Sequence, residues 1–277
     1  MSKHFTYWNS FASVVPLYLD LFPGAFQCCS VRLERLAYTG ALMAIRRSSD
    51  NALKDFYPDL NGKLSMTSED GLGTSLATWI GANNGLIYAF YDQTGNGNHW
   101  LQATIARQPK IVNLGSLLVD ANGLAAPTLS GASLNRFQLA GFGGHAVVDT
   151  DMVISTTDSF FVTLVGGATD YSFVAQSGAS STLTSQYYGS PTLFVNGTQP
   201  TQVTRNDIYL ASIGNNKVLT HQGANTTGLG WSGSNPNFGG YGSGAEMAGS
   251  LQFNASFASN QSANRAARHA YLMSRYQ

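Results

Sequence analysis

The clearest pattern of apolar and polar positions lies at residues 86–100. Residues 86–91 are six consecutive apolar positions, rich in aromatic and β-preferring types and too short a run for an ordinary helix. Residues 92–99 then contain an acid, two glycines and two asparagines, which tolerate positive φ angles and bond to their own backbone. The pattern predicts a core strand that ends in a tight, self-bonded loop.

Short apolar runs separated by turn residues continue through most of the chain. They predict strands at residues 42–46, 110–112, 116–119, 160–165, 171–175, 192–195, 208–213, 217–220 and 251–257. We expect the fourth and fifth of these strands to pair, and Asn196-Gly197 is a strong hairpin signal. A strand about every ten residues is typical of a two-sheet sandwich or jelly roll.

Two segments show a helical period instead. Residues 68–80 place four large apolar side chains on one face and end at Gly81: Leu72, Leu76, Trp79 and Ile80. Residues 260–276 have Asn260 or Ser262 as a cap and predict a helix whose packed face consists of Ala263, Ala267, Ala270, Tyr271 and Ser274. The fold class predicted is therefore all-β, a concanavalin-like or jelly-roll-like sandwich with a short C-terminal helix.

Composition agrees with many turns and excludes some partners. Only 11% of the residues are charged, against about 25% in an average protein, and 30 are glycine. Lys plus Arg and Asp plus Glu are equal at 15 each, so no net field attracts nucleic acid or an anionic membrane surface. We expect neither nucleic acid nor a membrane as partner.

No targeting segment is predicted. Polar residues and Pro16 interrupt any apolar segment near the N-terminus, so we expect no secretion signal. No stretch approaches the length of apolar chain that crosses a bilayer. The only cysteines, Cys28 and Cys29, are adjacent, and we expect two reduced, buried thiols because a bond between neighbours closes a strained ring.

Two motifs together resemble a known family. Residues 38–52 and 91–99 resemble the paired signature of the α-L-arabinofuranosidase B catalytic domain, a concanavalin-like sandwich. They are also similar to a domain of tailed-phage virion proteins. The match covers roughly residues 30–130 well and the rest loosely. The positions that carry it are Arg46, Arg47, Asp50, Asn51, Tyr91, Asp92, Gln93, Gly95, Asn96 and Gly97. The resemblance implies one sandwich domain, residues 28–277.

The same motif concentrates charge in a chain that has little. Arg46 and Arg47 lie close to Asp50 and Asp55. A ligand site is one interpretation, but arginines beside aspartates in a turn more often form a structural ion pair. We favour the ion pair.

The carboxylates of a glycosidase are not found where the resemblance implies them. Retaining hydrolysis requires two carboxyl groups about 5 Å apart. Tyr241 occupies the position of the acid/base, and residues 176–194, which correspond to the nucleophile region, contain no acid. We therefore predict no catalytic residues and a protein that is not an enzyme.

Metals and cofactors are not expected either. The histidines lack the paired spacing of a zinc site: His4, His99, His145, His221 and His269. The Asp92 loop imitates the first half of a calcium loop, but Ala103 stands where a bidentate Glu is needed. A self-capped turn is favoured, with calcium as the alternative.

The first 27 residues differ from the rest. They form an arm with seven aromatic side chains and almost no charge: Phe5, Tyr7, Trp8, Phe11, Tyr18, Phe22 and Phe26. Rings this numerous are costly to leave in water, so the arm packs either as a first strand or on an assembly partner. The sequence leaves both alternatives open.

These observations predict a structural virion protein, a capsid decoration, spike or fibre component that displays a catalytically inactive lectin-like sandwich. Its partners would be other virion proteins and copies of itself, in a particle assembled in the host cytoplasm. The alternative is a carbohydrate-binding module, with four aromatic residues as sugar-stacking candidates: Tyr187, Tyr188, Trp231 and Tyr241. An arabinofuranosidase-type hydrolase is the least favoured of the three.

Overall fold

The computed structural model of the chain describes residues 15–130, 137–139, 144–156, 160–162, 165–166, 174–178, 191–227, 237–238, 240–241 and 245–277. The helices in this part are α1 (Tyr18–Leu21), α2 (Leu76–Ile80), α3 (Arg205–Ser212) and α4 (Arg265–Tyr276). The strands are β1 (Ala25–Ser30), β2 (Met43–Arg47), β3 (Leu53–Phe56), β4 (Gly85–Phe90), β5 (Trp100–Leu101), β6 (Lys110–Asn113), β7 (Ser116–Leu117), β8 (Thr128–Ser130), β9 (Phe137–Leu139), β10 (Val148–Thr156), β11 (Phe160–Val162), β12 (Val165–Gly166), β13 (Val174–Gln176), β14 (Thr192–Val195), β15 (Gly214–Ala224), β16 (Asn237–Phe238), β17 (Gly240–Tyr241), β18 (Ala245–Glu246) and β19 (Ala248–Phe257).

Most of these strands join in one antiparallel sheet. Its order is β12, β16, β9, β5, β4, β6, β8, β19, β10, β15 and β14, with β1 beside β19, β2 and β3 beside β4, and β7 beside β6. Strands β6 and β8 share a single residue pair, Lys110 with Thr128. The result is the predicted all-β sandwich with a short C-terminal helix.

Strand β4 lies at the centre of the sheet, as its apolar pattern predicts. Phe90 pairs with Trp100 of β5, and both side chains are fully buried with ring centroids 6.4 Å apart. Cys29 of β1 donates its thiol to the Phe90 carbonyl at 3.4 Å, so the strand beside β19 contacts β4. Cys28 and Cys29 are free and buried, and burial raises the pKa of both thiols well above the usual value.

Helix α4 packs with a face that its sequence does not predict. The expected face was the small one at Ala263, Ala267, Ala270, Tyr271 and Ser274, whereas the buried side chains are Arg268, His269, Leu272 and Tyr276. Arg268 forms an ion pair with Asp151 of β10 at 2.7 Å, and both side chains are 0% exposed. Because β10 places the buried Asp151 carboxylate opposite α4, the face of the helix that carries Arg268 is the one that packs on the sheet.

Two other secondary-structure predictions need correction. Residues 208–213 were expected to form a strand, but Arg205–Ser212 is helix α3 because Thr204 and Asp207 form a capping box at its start. Residues 68–80 were expected to be helical or partly so, and the helix is limited to Leu76–Ile80, since Glu69 and Ser75 bridge across a turn. Gly81 ends α2 at φ 56°, as predicted.

The described part of the aromatic arm packs on its own chain. Tyr18 is fully buried, with its ring 5.1 Å from Phe22 and 4.9 Å from Phe253. Strand β1 runs across the boundary placed between residues 27 and 28 and pairs with β19. Phe26 is half-buried and stacks on His145 at 4.8 Å. Residues 18–26 are therefore part of the sandwich, and Phe5, Tyr7, Trp8 and Phe11 lie outside the described residues.

The helices are short. Within the described ranges, none of them combines the length and the apolar character that a membrane-spanning helix requires.

Candidate functional site

The four predicted sugar-stacking residues are not brought together by the described structure. Tyr187, Tyr188 and Trp231 lie outside the described residues. Tyr241 is in strand β17, which pairs with β18, and only its backbone is described. These positions stay predictions.

The Asp92 loop is closed by the Asp92 carboxylate itself. One oxygen accepts the backbone N–H groups of Cys28 at 2.8 Å and Thr94 at 3.0 Å. The other accepts the Thr94 hydroxyl at 2.7 Å and the Asn98 N–H at 3.1 Å. With four donors around a side chain that is 2% exposed, the acid serves to hold the turn.

The amides of the same motif attach this loop to β1 and the segment after it. The Gln93 oxygen accepts the Glu34 N–H at 2.7 Å, and its nitrogen donates to the Arg32 carbonyl at 2.7 Å. Asn96 and Asn98 both donate to the Phe26 carbonyl, at 3.2 and 2.7 Å. The motif therefore fixes a structural junction.

The two arginines of the motif are the last two residues of β2, before the turn to β3. Arg47 binds Asp50 with two hydrogen bonds, at 3.1 and 2.6 Å, and lies 5.0 Å from the centre of the Trp79 ring. The bond from Arg47 lowers the pKa of Asp50 to about 2. Asn51 takes φ 58°, a left-handed conformation that asparagine tolerates. The structural ion pair is thus present, as the sequence favoured.

A group of side chains on the outer face of β2, β3 and β4 forms a second arrangement, which we call the tyrosine face: Arg46, Asp55, Tyr88, Tyr91 and His99. Arg46 lies 5.7 Å from the centre of the Tyr88 ring. The Tyr91 hydroxyl donates to Asp55 at 2.7 Å, and the His99 ring meets Tyr91 edge-on at 5.0 Å. Both tyrosines are half-buried and Asp55 is exposed.

The electrostatics of the tyrosine face keep the Tyr91 hydroxyl group neutral. Burial, and next the hydrogen bond to the Asp55 carboxylate, raise the pKa of Tyr91 above its usual value. An ionised Tyr88 nearby would oppose the ionisation of Tyr91 in the same way, which places the two residues close together. The face therefore offers ring surfaces beside an exposed carboxylate and a guanidinium, a combination that binds polar ligands with apolar C–H faces.

Sequence reasoning missed the tyrosine face because its members are separated along the chain. Tyr88 and Tyr91 belong to a run of apolar residues that was interpreted as core, and Asp55 was grouped with the arginines. No alternation in the sequence marks this face, because Tyr88 and Tyr91 are three positions apart and a regular strand would point them to opposite faces. The pairing of β2 with β4 shifts register between Ala44 and Ile45, beside Tyr88.

The remaining charged cluster is interior. The hydroxyl groups of Tyr18 and Thr220 both donate to Asp151, which is also the ion-pair partner of Arg268. Glu34 is also fully buried and accepts the Tyr276 hydroxyl at 2.7 Å. Among the described residues, no three His, Cys, Asp or Glu side chains lie together as a metal site would require. These charges hold α1 and α4 on the sheet.

Three solved structures share this fold. A GH54 α-L-arabinofuranosidase soaked with a cyclic sulfate inhibitor has a TM-score of 0.53 at 14% identity. An arabinofuranosidase complexed with arabinofuranosyl-α-1,2-xylobiose has a TM-score of 0.56 at 13% identity. Each comparison covers 91% of this chain and 63% of the other chain, so this chain spans less than two thirds of their length. No family model and no curated protein matches the sequence.

This comparison corrects one prediction. We expected a protein that is not an enzyme, but the solved structures that share its fold are arabinofuranosidases, one of them a point mutant soaked with 4-nitrophenyl α-L-arabinofuranoside. The expected sandwich is shown by the same comparison. At 13–14% identity the likeness shows the fold alone.

Proposed function

We propose that this chain recognises carbohydrate, and specifically oligosaccharides that contain arabinofuranose, at the tyrosine face. The observation that carries the proposal is the pair of half-buried rings, Tyr88 and Tyr91, beside the exposed Asp55 carboxylate. Rings stack on the C–H face of a sugar, and a carboxylate and a guanidinium bind its hydroxyl groups. The arabinofuranosyl ligand of a structure with the same fold supports the choice of sugar.

Calorimetric titration with arabinofuranosyl-xylobiose tests this proposal. Tyr88→Ala removes a stacking surface and is expected to weaken binding about tenfold, whereas Tyr88→Phe keeps the ring and most of the affinity. Leu72→Ala is the control, because Leu72 is an apolar side chain that is 90% exposed on another loop. If Tyr88→Ala binds as tightly as the unmodified protein, the tyrosine face is not the site.

The same preparations decide whether recognition extends to hydrolysis. Release of 4-nitrophenol from 4-nitrophenyl α-L-arabinofuranoside above the buffer rate would add a glycosidase reaction to the proposal. Asp55→Asn is the first variant to assay, since Asp55 is the exposed carboxylate of this face. A rate unchanged in Asp55→Asn would place the catalytic acids elsewhere in the chain.

A second proposal concerns where the chain acts. We propose that it is a virion component, held on the particle by residues 1–14 and displaying its sandwich outward to other virion proteins and to glycans. The support is the resemblance of the two motifs to a phage virion domain, together with Phe5, Tyr7, Trp8 and Phe11 at the start of the chain. The truncation described in the Discussion tests it.

A further inference from the structure

A cleft of about 470 Å³ opens beside the turn that follows β7. In the order of the sheet, strand β6 separates the strands that line the cleft from β4. Sites for small ligands typically measure about 300–1,000 Å³. The residues around the cleft come from this turn, from β8, β10 and β19, and from the start of β15: Val119, Asp120, Ala121, Ala126, Thr128, Leu129, Ser155, Thr156, Asn215, Ala248, Gly249 and Ser250. None of them belongs to the tyrosine face.

Three hydroxyl side chains form a row across the floor of the cleft. Ser250 of β19 lies directly opposite Thr128 of β8 on one side and Ser155 of β10 on the other. Residues opposite each other in adjacent strands point to the same face of a sheet. The row therefore presents its hydroxyl groups together.

One hydroxyl of this row has no use within the fold. Thr128 donates to the Ala126 carbonyl at 3.0 Å, and Ser155 donates to Asn216 at 2.8 Å. Ser250 is 7% exposed, and in the part of the chain that the structure describes its hydroxyl group bonds to no protein atom. Because Ser250 lines the cleft, its hydroxyl group is free to bond to a ligand there in place of water.

The charge of the cleft selects its ligand. No Lys, Arg or His is among the lining residues, so an anion would find no counter-charge. The one acid, Asp120, accepts four hydrogen bonds: from the Asn122 N–H at 2.8 Å, the Leu124 N–H at 2.9 Å, and the Asn216 and Gln252 amides at 2.7 and 2.6 Å. Its carboxylate is used by the fold, and the groups left for a ligand are neutral hydroxyls and the exposed Asn215 amide.

The apolar part of the lining is shallow and small. A Cβ on Gly249 would lie 2.1 Å from the Ser155 carbonyl oxygen, so only glycine lets β19 and β10 approach here. Val119, 50% exposed, and Ala121 form the rim. We propose that this cleft binds one neutral sugar residue, with its hydroxyl groups on the serine and threonine row and its C–H face toward Val119.

This inference rests on the proposed function, because both require that the chain recognises carbohydrate, but it assigns different residues. The experiment titrates L-arabinose and arabinofuranosyl-xylobiose into the full chain carrying Tyr88→Ala, which isolates the cleft from the tyrosine face. Adding Ala121→Trp fills the cleft from an exposed rim position and is expected to weaken the remaining binding at least about tenfold. Ser250→Ala is expected to weaken it less, by about threefold to tenfold, since one hydrogen bond is lost.

Ala266→Trp is the matched control, because Ala266 is an exposed alanine near the start of α4. It is the other end of that helix, at Tyr276, that bonds to Asn122 in the turn beside the cleft. D-glucuronate is expected to bind at least about tenfold more weakly than a neutral sugar, since the cleft has no cation. If Ala121→Trp leaves the remaining binding unchanged, or if Tyr88→Ala alone abolishes binding, the cleft inference is wrong and the proposed function stands. If the unmodified chain binds no sugar, both are wrong.

Discussion

At the scale of single residues, the buried ion pair of Arg268 and Asp151 is a site where the loss of one partner is costly. Arg268→Met leaves the Asp151 carboxylate buried without its counter-charge, and we expect the free energy of unfolding to fall by about 3–5 kcal/mol. Arg47→Met breaks the pair with Asp50, which solvent screens, and is expected to lower the free energy of unfolding much less. Urea denaturation measures both, and equal losses would contradict the assignment.

Buried histidines give the chain a pH dependence with a defined sign. Burial lowers the pKa of His221 and His269 below the usual value. His269 accepts the Gly197 N–H at 2.6 Å, and its other nitrogen donates to Thr220, so the folded protein holds it neutral. The unfolded chain binds more protons than the folded chain once the pH falls below about 6.5, and stability is therefore lost on acidification through that range.

Denaturation at about pH 7.5 and about pH 5.5 measures this loss. His221→Gln removes one of the titrating groups, and we expect a smaller loss in that variant. Burial raises the pKa of Glu34 and Asp149, so the folded chain holds protons on these carboxyl groups that the unfolded chain does not. Their contribution to stability therefore increases as the pH falls toward about 4, opposite to that of the histidines. The comparison of variants cancels that contribution, and identical losses would show that His221 does not titrate with unfolding.

At the scale of elements, the Asp92 loop shows how one side chain holds a junction. The Asp92 carboxylate accepts four hydrogen bonds, and in Asp92→Asn one of its oxygens becomes an NH₂ group that faces other donors. We expect the free energy of unfolding to fall by about 2–3 kcal/mol. Asp59→Asn is the control, because Asp59 caps two backbone N–H groups in a partly exposed turn. A loss for Asp92→Asn no larger than the control would mean that the loop is held by Gln93 and the asparagines instead.

At the scale of the whole molecule, the segment proposed to dock on a partner is residues 1–14, which carry four of the seven aromatic side chains of the arm. Deleting residues 1–14 is expected to leave the thermal midpoint unchanged while abolishing assembly, if those residues dock on a partner. Extending the deletion through Phe22 removes the fully buried Tyr18 and is expected to destabilise the sandwich. Thermal denaturation and sedimentation measure the two effects, and a truncated chain that assembles like the full one would refute the arm proposal.

The sequence by itself determined the features that depend on neighbours along the chain. The all-β class, strand β4 and the self-capped Asp92 loop follow from alternation, short apolar runs and turn chemistry. The end of α2 at Gly81 and the Arg47–Asp50 pair are equally local. Helix α3 was missed although its capping box was visible, because a run of apolar residues was given more weight than the cap.

Only the tertiary structure decided which polar groups meet across the sheet. The packed face of α4 is charged because Asp151 and Thr220 lie opposite it, and no period within the helix contains that information. The tyrosine face joins three strands, and the hydroxyl row of the cleft joins Thr128, Ser250 and Ser155, residues separated by up to 122 positions. Strand order sets these contacts, and strand order depends on long-range pairing that a one-dimensional pattern does not encode.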